Sequence, residues 1–252
     1  MSWLTEVPIA HRGLHDGHVP ENSLAAFGAA AQHGYPIELD VHLLADQSVV
    51  VSHDETLDRM TDHRGELRLH TRRTLAGVRL CGSRLPMPFL DEVLEAVDGT
   101  VPLLVELKSP DPVGRLEAAV WDLLRDYQGP FAVQSFNPRS VAWFRDHAPA
   151  VTRGQLGTDR PHGRHGQGLD RSGSPSFVAY ELGYLPQPQV TRARAEGLPL
   201  LAWTVKTEDE RRRAERVADN YLFEGIVPGG SGGWAAPNRP PFSEADHPLK
   251  NK

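Results

Sequence analysis

Glu38, Asp40 and His42 alternate along one apolar segment, and a second imidazole, His53, follows shortly after. In an extended chain alternate side chains share a face, so two carboxylates and an imidazole would crowd one surface. Burying them in a structural core is costly; a metal ion or a reaction would account for them. Other reactive types recur where apolar runs end: His11-Arg12, Glu106 with Lys108, Gln134-Ser135 and Trp203. Each alone reads as a solvated strand end, and Glu106 with Lys108 as an ion pair along one strand face. Together they read as one site. Glu38, Asp40 and Glu106 make an all-oxygen ligand set that suits one hard divalent cation, Mg2+ or Ca2+, whereas zinc would want more His or Cys. His11 and His53 are the candidate general acid and base, because an imidazole titrates near neutral pH. Arg12 can grip a phosphate or carboxylate through its planar fork. His162 and His165 read as solvated, and the run from Gly163 to Gly168 lacks the Lys-Ser/Thr of a phosphate-cradling loop.

Positioning these groups requires strands. Residues 37–44 and 49–53 are apolar and separated by only 45–48, too short for a parallel crossover, so they form an antiparallel hairpin. With 45–48 as the loop, Leu44 faces Val49 and Asp40 lies opposite His53; a one-residue slip would remove that pairing.

Around the hairpin the chain alternates. A short apolar segment at 7–10 precedes a helix introduced by Glu21-Asn22-Ser23 and stopped by Gly34. Residues 55–88 read as an irregular excursion, and 89–97 as a helix. Strand candidates follow at 101–107, 131–136, 151–156, 177–182, 198–205 and 222–227. Helices are expected at 113–127, 139–147, 187–196 and 208–218, with a mobile loop at 157–175. Counting only the first arm of the hairpin gives eight strand-plus-connection units. These fit a closed (β/α)8 TIM barrel with a β-hairpin excursion after strand 2, a doubly wound open sheet being the alternative. In such a barrel reactive groups gather at the C-terminal strand ends, where the residues above fall. Residues 1–228 would form the catalytic barrel, and 229–252 a Gly/Pro-rich tail.

The chain has 252 residues, 39% of them hydrophobic, enough for one large α/β domain. A net charge of −6 without a long run of one sign gives no reason to expect nucleic acid or an anionic membrane as partner. No apolar run is long enough to span a membrane. A single cysteine, Cys81, cannot form an internal disulfide, and no signal peptide is evident, so a cytoplasmic location is expected.

The ordered set His11-Arg12-Gly13, Glu21-Asn22-Ser23, Glu38-Leu39-Asp40-Val41, His53-Asp54, Leu57-Asp58-Arg59, Glu106-Leu107-Lys108, Ser135-Phe136 and Ala202-Trp203-Thr204 resembles the glycerophosphodiester phosphodiesterase family over nearly the whole chain. The resemblance implies a barrel of the phospholipase-C-like phosphodiesterase type. It implies metal-dependent hydrolysis of glycerophosphodiesters to sn-glycerol 3-phosphate and an alcohol. By the same likeness Glu38, Asp40 and Glu106 hold the cation, and His11 and His53 act as acid and base. Arg12, Glu21, Lys108 and Trp203 would then bind substrate. Two departures stand out. The last strand ends Phe223-Glu224-Gly225-Ile226-Val227-Pro228 where the family usually has Thr-Asp and a nearby Pro, and the hairpin tip reads Leu44-Ala45-Asp46-Gln47 where Thr and Asp-Gly are more usual. Neither falls on the proposed metal or acid–base residues, so they bear on substrate fit. The alternatives are a lysophospholipase D-like or cyclising activity on lysolipids, which would need an apolar entrance, and a barrel that binds phosphodiesters without turnover.

Overall fold

The computed structural model describes residues 2–160 and 168–228. Nine strands form one sheet: β1 (Ile9–Ala10), β2 (Ile37–Leu43), β3 (Val49–Val51), β4 (Leu103–Leu107), β5 (Phe131–Ser135), β6 (Arg153–Gly157), β7 (Phe177–Glu181), β8 (Leu200–Val205) and β9 (Asn220–Phe223). Their order is β1-β9-β8-β7-β6-β5-β4-β2-β3, and β1 also pairs with β2, which closes eight parallel strands into a barrel. β3 hangs antiparallel on the outside of β2, as the expected hairpin arm. Its register differs from the expected one. Leu43 opposes Val49, and Leu44 N–H bonds Ser48 C=O, so Asp40 meets Ser52 rather than His53.

Helices α1 (Trp3–Glu6), α2 (Leu24–Gln32), α3 (Arg72–Leu75), α4 (Leu90–Val97), α5 (Arg115–Leu124), α6 (Pro138–His147), α7 (Pro188–Ala195) and α8 (Glu208–Val217), with two short 3-10 turns at Leu67–Leu69 and Leu182–Tyr184, complete the described part. Strand alternation sorts the apolar residues into two cores. Outward residues such as Leu39, Val105, Val133, Val178 and Ala202 pack with the helices, including Phe27, Val93, Val120 and Phe144. Inward residues Ile9, Leu104, Ala132, Leu156, Phe177, Ala179, Leu201 and Leu222 fill the barrel, and α1 supplies Trp3 and Leu4 to the same interior cluster. Asn220 Nδ2 donates to the carbonyls of Leu4 and Val7, fastening α1 to β9. A third cluster, with Leu57, Leu67, Leu75, Leu80 and Met87, lies under the excursion at 55–88 and leans on Val50 and Phe89. The last strand spans Asn220–Phe223, earlier than the expected 222–227, because it pairs with β1 through Leu222 and Phe223. No helix among the described residues is long and apolar enough to cross a membrane. The expected C-terminal tail at 229–252 and residues 161–167 of the expected loop lie outside the described residues.

Candidate active site

β1 stops after Ala10, and the chain turns sharply through His11, Arg12 and Gly13. His11 N–H still bonds Phe223 C=O at 3.0 Å. Arg12 and Gly13 take φ of 58° and 79°, a region costly for residues other than Gly. A Cβ on Gly13 would stand 2.8 Å from the Ala26 carbonyl carbon, so the approach of this turn to α2 requires glycine. The turn aims Arg12 N–H at Glu38 Oε2, 3.0 Å away. Asn22, also left-handed at φ 54°, donates from Nδ2 to Asp40 Oδ2 at 2.8 Å, while its N–H bonds Arg12 C=O. Ser23 then caps α2 by accepting from Ala26 N–H. The helix start and the turn are thereby locked to the acidic pair on β2.

Register places Glu38 beside Leu104 and Asp40 beside Glu106, so Glu38, Asp40 and Glu106 all point into the barrel at its C-terminal end. All three are buried, and one oxygen from each lies within 4.8 Å of the others. Glu38 Oε1 has no hydrogen-bond donor. Lys108 Nζ sits 2.9 Å from Asp40 Oδ1 and also contacts Glu106, and Arg12 Nε lies 3.3 Å from Asp40 Oδ2. Burial and the neighbouring Asp40 and Glu106 charges push Glu38 well above the usual carboxylate range. Burial would raise Asp40 too, but Lys108 and Arg12 outweigh it and hold that carboxylate far below its ordinary value. Burial also raises Glu106, against the pull of Lys108. Converging buried oxygens, one lacking a donor and one made reluctant to ionise, are the donor set a hard divalent cation would satisfy.

Two imidazoles face this cluster, each with a carboxylate behind it. His11 Nδ1 bonds Glu224 Oε2 at 2.9 Å, and its Nε2 is 4.0 Å from Glu38 Oε2. Glu224, held ionised by His11, His15 and Lys206 against the effect of burial, only accepts, so Nδ1 carries the proton and Nε2 is left as the free lone pair. Burial lowers the His11 pKa, and the bond to Glu224 partly restores it. His53 repeats the arrangement, with Nδ1 2.8 Å from Asp54 Oδ1. Asp54 would be raised by burial, yet hydrogen bonds from Arg59 and His53 bring it down to about 2. Although β-ladder register does not oppose His53 to Asp40, the bend after β3 carries it back to line the same cavity as His11. His42 turns away, its Nε2 meeting His53 C=O at 3.2 Å, and burial drops its pKa to about 4.

Glu21 ties the two halves together. It accepts from Arg12 Nη1 at 2.8 Å and from Arg59 Nη2 at 2.8 Å, and Arg59 also grips Asp54. The cavity they open into holds about 450 Å3, with His11, Arg12, His53, Glu106, Lys108, Gln134, Phe136 and Trp203 on its walls. The pairing of β8 with β9 shifts register between Ala202 and Val205, and both intervening residues, Trp203 and Thr204, line the cavity. Arg160, Glu181, Lys206, Glu210 and Arg213 line it as well. Arg171 pairs with Glu196 on the exposed surface and is not among the lining residues.

All nine sequence-predicted site residues thus come together. Sequence reasoning misses Asn22, read only as a helix start, and Glu224. The departure at the last strand does touch a candidate acid–base residue, contrary to expectation: with β9 ending at Phe223, Glu224 stands at a strand end directly behind His11. A carboxylate one residue past an apolar run was the available signal.

Residues 11–222 match the glycerophosphoryl diester phosphodiesterase family. Over 235 residues the chain is 33% identical to YhdW of Bacillus subtilis, a candidate glycerophosphodiester phosphodiesterase, covering 87% of this chain and 92% of that protein. A glycerophosphodiester phosphodiesterase of Caldanaerobacter subterraneus subsp. tengcongensis is 30% identical over 235 residues, 86% of this chain and 93% of its own length. The fold is similar to a phosphodiesterase of Oleispira antarctica solved with its product sn-glycerol-3-phosphate, at TM-score 0.77 and 24% identity over 88% of this chain and 93% of that one. A matched span that runs from the first candidate base into the last strand of the barrel makes this chain an enzyme of the glycerophosphodiester phosphodiesterase family.

Proposed function

We propose that the enzyme hydrolyses small glycerophosphodiesters to sn-glycerol 3-phosphate and an alcohol, using His11 and His53 as acid and base around a divalent cation, Mg2+ or Ca2+, held by Glu38, Asp40 and Glu106. The observation that carries this reading is the pair of imidazoles lining one cavity with three buried carboxylates, each imidazole backed at Nδ1 by its own carboxylate. The product held by the Oleispira antarctica neighbour is in keeping with it.

Bound there, the cation would neutralise charge on a non-bridging phosphate oxygen. Arg12 and Lys108 add two fixed positive charges on the cavity wall, which favour the dianionic transition state over water-solvated substrate. Glu21 keeps the Arg12 fork in place. His11, buried and lowered in pKa, starts neutral and suits removal of a proton from the attacking hydroxyl through Nε2. His53, with its side chain 37% exposed, suits protonation of the departing alkoxide at the rim. The attacking hydroxyl is either water or the glycerol's own hydroxyl, the latter passing through a cyclic phosphate that water then opens. Trp203 supplies an aromatic wall for the glycerol carbons. The lone cysteine, Cys81, is a free thiol, in keeping with a reducing compartment such as the cytoplasm.

Release of sn-glycerol 3-phosphate from glycerophosphocholine, with and without EDTA, tests the reading. Chelation should abolish turnover, and His11→Ala and His53→Ala should each lower it roughly 10²–10⁴-fold. Asp40→Asn should lose turnover and the cation-dependent rise in melting temperature together; a variant that keeps the rise would overturn the metal assignment.

A further inference from the structure

Two buried glutamines sit on adjacent strands and differ at Nε2, although Gln155 Oε1, like both polar atoms of Gln134, has no hydrogen-bond partner. Gln155 on β6 spends its Nε2 on the carbonyls of Ser135, Phe136 and Leu156, and so braces the strand ends. Gln134 on β5 is 1% exposed, yet neither its Nε2 nor its Oε1 has a partner. Register sets it beside Glu106, on the same inward parity as Ala132 below it, and its side chain lines the catalytic cavity. Trp203 Nε1 is a second buried donor without a partner, and Trp203 lines the same cavity. Native folds satisfy nearly all buried polar atoms, so three unused ones on one cavity point to a ligand.

The chemistry of the open atoms selects that ligand. A phosphate oxygen accepts only and would leave Gln134 Oε1 unused; a cation would leave Nε2 unused. A hydroxyl both donates and accepts, and satisfies both ends of an amide. The indole N–H can serve a second hydroxyl oxygen. Arg12 and Lys108, the charges on this wall that suit phosphate, are held by Glu21, Asp40 and Glu106, and the rings of Phe136 and Trp203, edge to face at 5.7 Å, offer an apolar surface for carbon. We propose that Gln134 and the indole N–H of Trp203 form a hydroxyl-binding subsite that selects the glycerol moiety over phosphorylated alcohols lacking its free hydroxyls. The subsite rests on the reading that the substrate is a glycerophosphodiester.

Calorimetric titration of the full chain, in saturating Mg2+, with sn-glycerol 3-phosphate and with n-propyl phosphate separates the hydroxyls from the phosphate. Wild type should prefer the glycerol compound by roughly 10- to 100-fold, the order expected when buried polar groups are left unpaired by the poorer ligand. Gln134→Met should bind n-propyl phosphate as wild type does and lose most of that preference. It should also melt, ligand-free, at or above the wild-type temperature, because an apolar side chain replaces an unsatisfied amide. Trp203→Phe, which keeps a ring and removes the N–H, should lose part of the preference. Equal weakening of both ligands in Gln134→Met, a preference retained there, or a higher Mg2+ requirement for the thermal shift would overturn the subsite. So would a wild type that binds both ligands alike. A wild type that prefers sn-glycerol 3-phosphate but leaves glycerophosphocholine intact sinks the functional reading and leaves the subsite standing.

Discussion

Glu224 fixes the tautomer of His11 and holds its ring, so its contribution to turnover would lie in where it keeps Nε2. Glu224→Ala should lower turnover about 10- to 100-fold with little change in KM, as expected for a group that orients a general base. Steady-state kinetics on glycerophosphocholine decides this, and turnover near wild type would remove Glu224 from the machinery. At this scale the carboxylate trio and both imidazoles were legible, because ionisable types at strand ends are rare without a purpose. Glu224 was not. Its apolar neighbours Ile226 and Val227 resemble strand, and only the pairing of β9 with β1 ends that strand at Phe223. Asn22 shares the problem: its role depends on a left-handed backbone, φ 54°, that the residue type merely permits.

The first turn after β1 does more than connect. Its backbone presents Arg12 N–H to Glu38 and Arg12 C=O to Asn22, so the turn itself is part of the carboxylate scaffold. Gly13→Ala should therefore injure both stability and turnover. The left-handed conformation alone costs a Cβ about 1–2 kcal/mol, and the Ala26 carbonyl carbon 2.8 Å from that Cβ forces a further shift. A lower melting temperature with reduced glycerophosphocholine turnover is expected; an unchanged melt would show that the turn can relax. Most elements were legible because their periodicity and caps agree. The hairpin register was not, and the reason is Gln47. It takes φ 68° in the tip, where Gly or Asn would have advertised a tighter turn. The loop closes between Leu44 and Ser48, and every pair shifts by one. His53 survives the slip because it lies past the strand, where the bend and not the ladder directs it.

Across the whole molecule, eight strands, their closure and the site at the C-terminal mouth followed from alternation and chain length, while the rim did not, because its pairings join residues far apart in sequence. That rim is charged: Arg160 with Glu181, Lys206 with Glu224, and Arg213 bonded to Leu185 C=O. Such a mouth would favour polar head groups over an acyl chain, whose burial is worth about 0.8 kcal/mol per CH2. The kcat/KM for glycerophosphocholine should exceed that for lysophosphatidylcholine below its micellar concentration, and the reverse order would promote the lysolipid reading. The two imidazoles also belong to different parts of the fold. His11 rises from the barrel itself, whereas His53, Asp54 and Arg59 ride at the start of an excursion with its own small apolar cluster, from Leu44 to Phe89. Small satellite clusters open at lower free energy than a main core. The expected consequence is a working lifetime shorter than the lifetime of the barrel. On gentle heating, backbone amides at Leu57, Leu67 and Leu80 should exchange with solvent before those of β4 and β5, and activity should decay with the former. Ageing of this catalyst would be a parting of His53 from His11, with most of the protein still folded.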